Sequence, residues 1–242
     1  MHVLAIILAR AGSVRLPRKN LARLGGCSLV AHAAFAAMHA RCVTNTVVST
    51  DSQEIARECT VFGAAWINRP CDISGPHATI EQAVAHALPE AEKLYGKRFD
   101  LVVALHAAVP VRPRGAIDAL VSSVVKHGAC GGVTVVRRTP WIWRVGNGRA
   151  ETWWNPPQYP RSQDVPGFTL EEINSIQVTP RELALKGERW RYPLVLQELP
   201  AWAGFDIDTG GDLEAARACW PGIETMLKQP CEMEAHLVKG AA

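Results

Sequence analysis

The stretch Asp100-Leu-Val-Val-Ala-Leu-His106 constrains the fold most, because five consecutive positions in it are apolar. Successive side chains of a strand point to opposite faces, so both faces of this one must be covered. Such a strand belongs inside a mostly parallel sheet with helices on either side. The neighbouring sequence agrees. His2-Val-Leu-Ala-Ile-Ile-Leu-Ala9, Thr46-Val-Val-Ser-Thr50 and the run 131–136 are further apolar segments of strand length. Between them lie helical patterns. Ser28 caps one whose apolar positions Leu29, Val30, Ala33, Ala34, Ala37 and Met38 recur at helical spacing, and others span 54–62, 79–94, 114–126 and 210–219. A brief strand is expected at 64–67 and a last one at 204–209. The expected fold class is α/β, a doubly wound, mostly parallel, Rossmann-like sheet.

A chain of 242 residues can form one large α/β domain, or a core with a smaller appendage. Its formal net charge of +3 is too small to argue for nucleic acid or membrane as a partner. Seven cysteines form no C-x-x-C pair and leave one over, which favours reduced core thiols over a disulfide framework. The first nine residues are too short and too uncharged for a signal peptide, and no apolar run approaches membrane-spanning length, so a soluble, cytoplasmic protein is expected. Composition shifts after residue 138. Six of the eight tryptophans fall between Thr139 and Trp202. This predicts a small inserted subdomain at 139–203, between core segments 1–138 and 204–242. It reads as a lid over the strand ends, as a dimer arm, or as a subdomain filled with tryptophan. The last few residues are expected to fray.

Polar residues collect where the apolar runs end. The first run empties into Arg10-Ala-Gly-Ser-Val-Arg-Leu-Pro-Arg-Lys-Asn20, with Arg10, Arg15, Arg18 and Lys19 inside ten residues. A strand ending in a flexible cationic loop can hold a polyanion against backbone N–H groups, or the loop merely solubilises the chain. It lacks both the G-x-x-x-x-G-K-S/T and the G-x-G-x-x-G spacing. Ser49-Thr50-Asp51, His106 and Asp206-Ile-Asp208 end other runs. Alternation would point Asp206 and Asp208 to one face, as two carboxylates sharing a divalent cation require. Alternatively, they cap the next helix.

Several segments then match a known pattern in order. They are Ile7-Leu-Ala-Arg-Ala-Gly-Ser-Val-Arg-Leu-Pro-Arg-Lys-Asn20, Gly26-Cys-Ser-Leu29 with His32, Val48-Ser-Thr-Asp51, and Arg69-Pro70. Arg161-Ser-Gln163-Asp164 with Asn174, and Asp206-Ile-Asp-Thr209 followed by Asp212-Leu-Glu214, continue the series. The set resembles the CMP-sialic acid synthetase (acylneuraminate cytidylyltransferase) family, whose signature loop reads I-L/P-A-R-x-x-S-K-x-L/I-P-x-K-N. The resemblance implies a nucleotide-diphospho-sugar transferase-like fold and Mg²⁺-dependent transfer of CMP from CTP to the anomeric hydroxyl of a 2-keto sugar acid. Arg10, Ala11, Gly12, Ser13, Lys19, Asn20 and Thr79 would surround the nucleotide, and Asp206 and Asp208 the metal. Arg10, Lys19 and Asp208 would be catalytic. His106, Arg112, Arg161, Gln163 and Asn174 would meet the acidic acceptor, and the insertion would join a homodimer.

Departures cluster in the acceptor segments. Where the family has L-Q-P-T-S-P-L-R, this chain has His106 for the Gln and Ala107-Ala108-Val109 for Pro-Thr-Ser, keeping Pro110 and Arg112. Pro76 stands for an Asp, Asn174-Ser-Ile-Gln-Val178 for N-G-A-I-Y, and Val14 for the loop's second cation. Exchanging hydroxyl and amide groups for Ala and Val removes hydrogen bonds to a polar acceptor. His106 could replace the Gln as a donor, serve as a base, or be a strand-end histidine satisfied by backbone. Two rivals therefore stand beside the sialic-acid reading: a CMP transferase for another acid, such as an eight-carbon keto sugar acid, and a nucleotide-binding relative without turnover.

Overall fold

Alternation along the strands builds both layers of the molecule, whose computed structural model describes residues 1–138, 143–152, 161 and 169–240. From β1 (Val3–Leu8) the chain runs through the cationic loop into a short hairpin, β2 (Arg23–Leu24) and β3 (Cys27–Ser28). Ser28 Oγ then accepts from the Ala31 N–H, capping α1 (Leu29–Met38). Two further units follow: β4 (Asn45–Thr50), α2 (Gln53–Thr60) and β5 (Ala65–Asn68), then α3 (Ile80–Tyr95), β6 (Leu101–His106) and α4 (Ala116–His127). On β1, Val3, Ala5 and Ile7 pack with α1, α2 and α4, while Leu4 and Ile6 pack with α3. On β6, Leu101, Val103 and Leu105 face the first layer and Val102 and Ala104 the second. Truncating a fully buried residue such as Ile6 to Ala would cost about 2–5 kcal/mol.

The remaining strands are β7 (Gly132–Arg138), β8 (Trp143–Gly146), β9 (Arg149–Thr152), β10 (Thr169–Pro180), β11 (Leu194–Leu199) and β12 (Glu234–Val238). Helix α5 (Arg181–Leu185) follows β10, and α6 (Gly210–Leu227) precedes β12. The main sheet has the order β12-β11-β7-β10-β6-β1-β4-β5. All its pairings are parallel except those of β10 and β12, so the expected mostly parallel doubly wound sheet is observed. The chain winds outward from β1 through β4 to β5, then returns to β6 on the other side of β1. That reversal opens a crevice at the carboxyl ends of β1 and β6.

Three expectations need correction. The insertion does not extend over 139–203, because β10 and β11 are interior strands of the main sheet; of the described strands within that span, only the hairpin β8–β9 stands apart from it. No strand forms at 204–209; the segment is tied to the turn after β6 by the Ile207 N–H, which donates to the Ala108 carbonyl at 2.9 Å. Strand β12 pairs with β11 through Leu194↔Val238 to Glu198↔Glu234, ahead of the last few residues, of which 241–242 lie outside the described residues. The cysteines are free thiols, but of the seven only Cys59 is buried. Among the described residues no helix is long and apolar enough to cross a membrane.

Candidate active site

Parity and register together place the cleft. Leu8 pairs with His106 across β1 and β6, and both continue the row of side chains facing α3. Just beyond them lies a cleft of about 250 Å³. It is lined by Arg10, Ser13, Lys19, Asn20, Thr79, His106 and Asp208, so seven expected site residues from four separate segments converge.

The loop from Arg10 to Asn20 is held in shape from within. Buried Asn20 donates through Nδ2 to the Arg10 carbonyl at 2.7 Å, closing the loop on itself. The Ala11 N–H donates to Asp51 Oδ1 at 2.8 Å, tying the loop to the end of β4. Arg10 itself donates to the Gly75 carbonyl. The backbone cradle is smaller than expected, because the Ala11 and Ser13 N–H groups are both taken within the protein, Ser13 by the Ala11 carbonyl at 2.9 Å. Cationic side chains therefore supply most of what the loop offers an anion.

Opposite the loop, Asp208 receives Lys19 Nζ at 2.8 Å and Arg15 Nη2 at 2.6 Å, joining residues 189 apart in sequence in the Lys19 pair. Helix capping is done elsewhere: Thr209 Oγ1 accepts from the Asp212 N–H, and Asp212 accepts from the Thr209 N–H at 2.7 Å. Asp206 and Asp208 are thus released from the capping role. Ile207 between them is fully buried against Leu24, Leu29 and Leu213, which turns its two neighbours away from that core without a strand; Asp208 lines the cleft, while Asp206 is exposed beside it and outside the lining.

Their titration differs. Desolvation and then the Asp208 charge hold the Asp206 carboxyl above the usual range. For Asp208, desolvation pushes up, but the Lys19 hydrogen bond and the Lys19 and Arg15 charges prevail and hold it below. Two neighbouring carboxylates, one raised by the other, form a hard oxygen pair that suits Mg²⁺, which usually takes one or two carboxylates and completes its shell with phosphate and water.

Two more features face the cleft. Thr79 caps α3 reciprocally with Gln82, and Ala78, Thr79 and Ile80 line the wall, so the positive end of a 16-residue helix points at the anion's place. Arg69 also lines it, buried and hydrogen-bonded to Ser49 Oγ at 3.0 Å and the Ser49 carbonyl at 2.6 Å. Desolvation pushes its guanidinium down to about 10. The sequence reading placed Arg69 in a matching turn without giving it a role.

The acceptor-side residues are assembled differently. Burial, then the charges of Arg112 and Arg189, push the His106 imidazole down to about 3, so it is neutral near pH 7 and a poor base there; its Nε2 has no partner. Arg112 does not line the cleft. It lies buried beneath the strand ends, with Nη2 donating to the His106 carbonyl at 2.5 Å and to the Ser175 carbonyl at 3.0 Å. Asn174 sits with φ +51 at a bulge in β10, and its Oδ1 accepts from Arg189 Nη1 at 3.1 Å. Arg189 also meets Glu81 at 2.8 Å and Glu172 at 3.3 Å. No sequence motif marks Arg189 or Glu81. Arg161 is exposed, and Gln163 lies outside the described residues.

The profile of the family described as "Cytidylyltransferase" matches residues 4–138. CMP-N,N'-diacetyllegionaminic acid synthase of Legionella pneumophila is 38% identical over 114 residues, 46% of this chain and 48% of that protein. N-acylneuraminate cytidylyltransferase A of Danio rerio is 29% identical over 229 residues, 92% of this chain and 50% of that one. The chain thus spans about half the length of these curated relatives. A solved structure titled CMP:2-keto-3-deoxy-manno-octonic acid synthetase complexed with CTP superimposes with a TM-score of 0.69 at 18% identity, covering 92% of this chain and 99% of that one, and so shares the fold. The family profile covers more than half of the chain, and with it the cationic loop and every residue lining the cleft except Asp208; this chain belongs to the cytidylyltransferase family.

Proposed function

We propose that this chain transfers CMP from CTP to the anomeric hydroxyl of a 2-keto sugar acid, a nonulosonate of the sialic-acid kind, with release of pyrophosphate. The observation that carries the reading is the convergence of Lys19 and Arg15 on Asp208, beside Arg10 and the N-terminus of α3. Cations on one wall and carboxylates on the other are what a metal–triphosphate requires. The names of the two curated relatives point to nine-carbon sugar-acid acceptors in the family.

On this reading Lys19 and Arg15 leave Asp208 for the triphosphate, and Arg10, Ser13 and Asn20 hold the loop around it. The anomeric hydroxyl gives up its proton to water as its oxygen attacks the α-phosphorus in line, the bond to the bridging oxygen breaks, and pyrophosphate departs. Mg²⁺ held by Asp206 and Asp208 would neutralise charge developing at the α-phosphate. Arg10 and Lys19 stabilise the same charge and that of the leaving pyrophosphate. Neutral His106, with a free Nε2, serves as a hydrogen-bonding group toward the acceptor. The proposal includes a cytoplasmic homodimer joined around the β8–β9 hairpin, which exposes Trp143 and Val145.

The test is pyrophosphate release from CTP and Mg²⁺ against N-acetylneuraminate, a legionaminate and 3-deoxy-manno-octulosonate. Release with a nine-carbon acid is expected. Release with the eight-carbon acid alone would reassign the acceptor, and CTP binding without release from any acid would contradict turnover.

A further inference from the structure

A second cavity, of about 670 Å³, lies on the opposite layer from the cleft, among α1, α4 and α6. That volume falls in the range of small-molecule sites. Its walls are ring-rich. His32 and Trp220 stack tilted with centroids 5.1 Å apart, and Phe35 meets Phe62 edge-on at 6.1 Å. Trp220 lies so close to Gly25 that an added Cβ would come within 2.0 Å of the indole, so the absence of a side chain there sets the position of this wall.

Charge in the cavity is lopsided. Arg112, Arg114 and Lys228 line it against one carboxylate, Glu224. Arg112 is 7% exposed, spends Nε and Nη2 on backbone carbonyls, and leaves Nη1 without a partner. Among the described residues no carboxylate pairs with it, nor with Arg114 or Lys228. A buried guanidinium without a counter-ion is costly, and an anion brought beside it recovers much of that cost. Aromatic walls with an unneutralised cation at the base select a ligand with one flat apolar body and one acidic group.

We propose that this cavity is a second, non-catalytic ligand site for a compact aromatic carboxylate. It is distinct from the nucleotide cleft and shares no lining residue with it, although Arg112 donates to the carbonyl of His106, which lines that cleft. The carboxylate seats toward Arg112 with Lys228 and Arg114 at the rim, and the ring lies between Trp220 and Phe35.

Calorimetric titration with 1-naphthoate and with the neutral isostere 1-naphthalenemethanol, in saturating CTP, tests this directly. Naphthoate should bind about tenfold more tightly than the alcohol, as one charge-assisted contact implies. Lys228→Glu, an exposed change, should weaken naphthoate several-fold and leave the alcohol unaffected. Ala36→Phe, which fills the cavity away from the cleft, should abolish both. Equal affinities, loss of naphthoate binding when CTP is added, or binding unchanged in both variants would overturn the proposal. So would sedimentation showing a dimer that Ala36→Phe dissociates, because the face would then belong to a second copy.

Discussion

On the phosphate side of the cleft each cationic side chain already has a protein partner: Arg10 the Gly75 carbonyl, Lys19 and Arg15 the Asp208 carboxylate, Arg69 the Ser49 hydroxyl and carbonyl. Along β6, β10 and the segment from β6 to α4 the situation is reversed. His106 Nε2, Arg112 Nη1, Ser175 Oγ and Gln177 Oε1 are buried without a hydrogen-bond partner. Buried polar atoms are nearly always satisfied, so a group of four along neighbouring segments marks a region not optimised for stability alone. The phosphate side is a set of charges that exchange one partner for another. The second region is a set of buried, unspent hydrogen-bonding groups, of which His106 lines the cleft and the other three do not, and it coincides with segments where the sequence departs from the family pattern.

The contrast breaks most sharply at Asp208. Asp208→Asn should lower CTP-dependent pyrophosphate release about 100–1000-fold, the scale of losing a principal charge-stabilising group. The same variant should raise metal-free CTP affinity, because Lys19 and Arg15 lose their competing anion. If turnover and metal-free affinity fell together, the exchange picture would fail.

Arg112→Leu comes next. It should destabilise the fold by roughly 1–3 kcal/mol in urea unfolding, since the His106 and Ser175 carbonyls lose their buried donor. A catalytic defect without a stability defect would move Arg112 back to the substrate.

His106 makes a pH-dependent prediction. Its folded pKa is depressed from 6.5 to about 3, so the unfolded state binds the extra proton between those values and stability must fall as pH drops through that window. His106→Gln should flatten the acid limb of the melting temperature between about pH 6.5 and 4, while wild-type activity near neutrality shows no inflection from this group. The smallest effect is expected at Thr79→Ala, about 1 kcal/mol from the lost α3 cap, with a modest rise in KM for CTP from a frayed helix end.

What the sequence made legible follows the same division. Continuous apolar runs of strand length exposed β1, β4, β6 and β7 and hence the parallel sheet, and the cationic loop was readable because its residues are contiguous. Asp206 and Asp208 were readable as a pair although no strand forms there, because buried Ile207 imposes the same alternation that a strand would. β10 and β11 were hidden by the tryptophan- and proline-rich composition around them, and β10 also breaks its register at the Asn174 bulge. The roles of Arg69, Arg112 and Arg189 depend on partners supplied by other segments, namely Ser49, Ser175 and Glu81. Those partners lie 20, 63 and 108 positions away, and no local pattern encodes them.

The central claim is that the loop and Asp208 together hold a metal-bound triphosphate. Its most direct test is calorimetric CTP binding to the wild-type protein and to Asp208→Asn, each with Mg²⁺ and with EDTA. Wild-type affinity should rise with Mg²⁺, and Asp208→Asn should lose that gain while still binding CTP through Lys19, Arg15 and Arg10. An identical Mg²⁺ gain in both proteins would contradict the account.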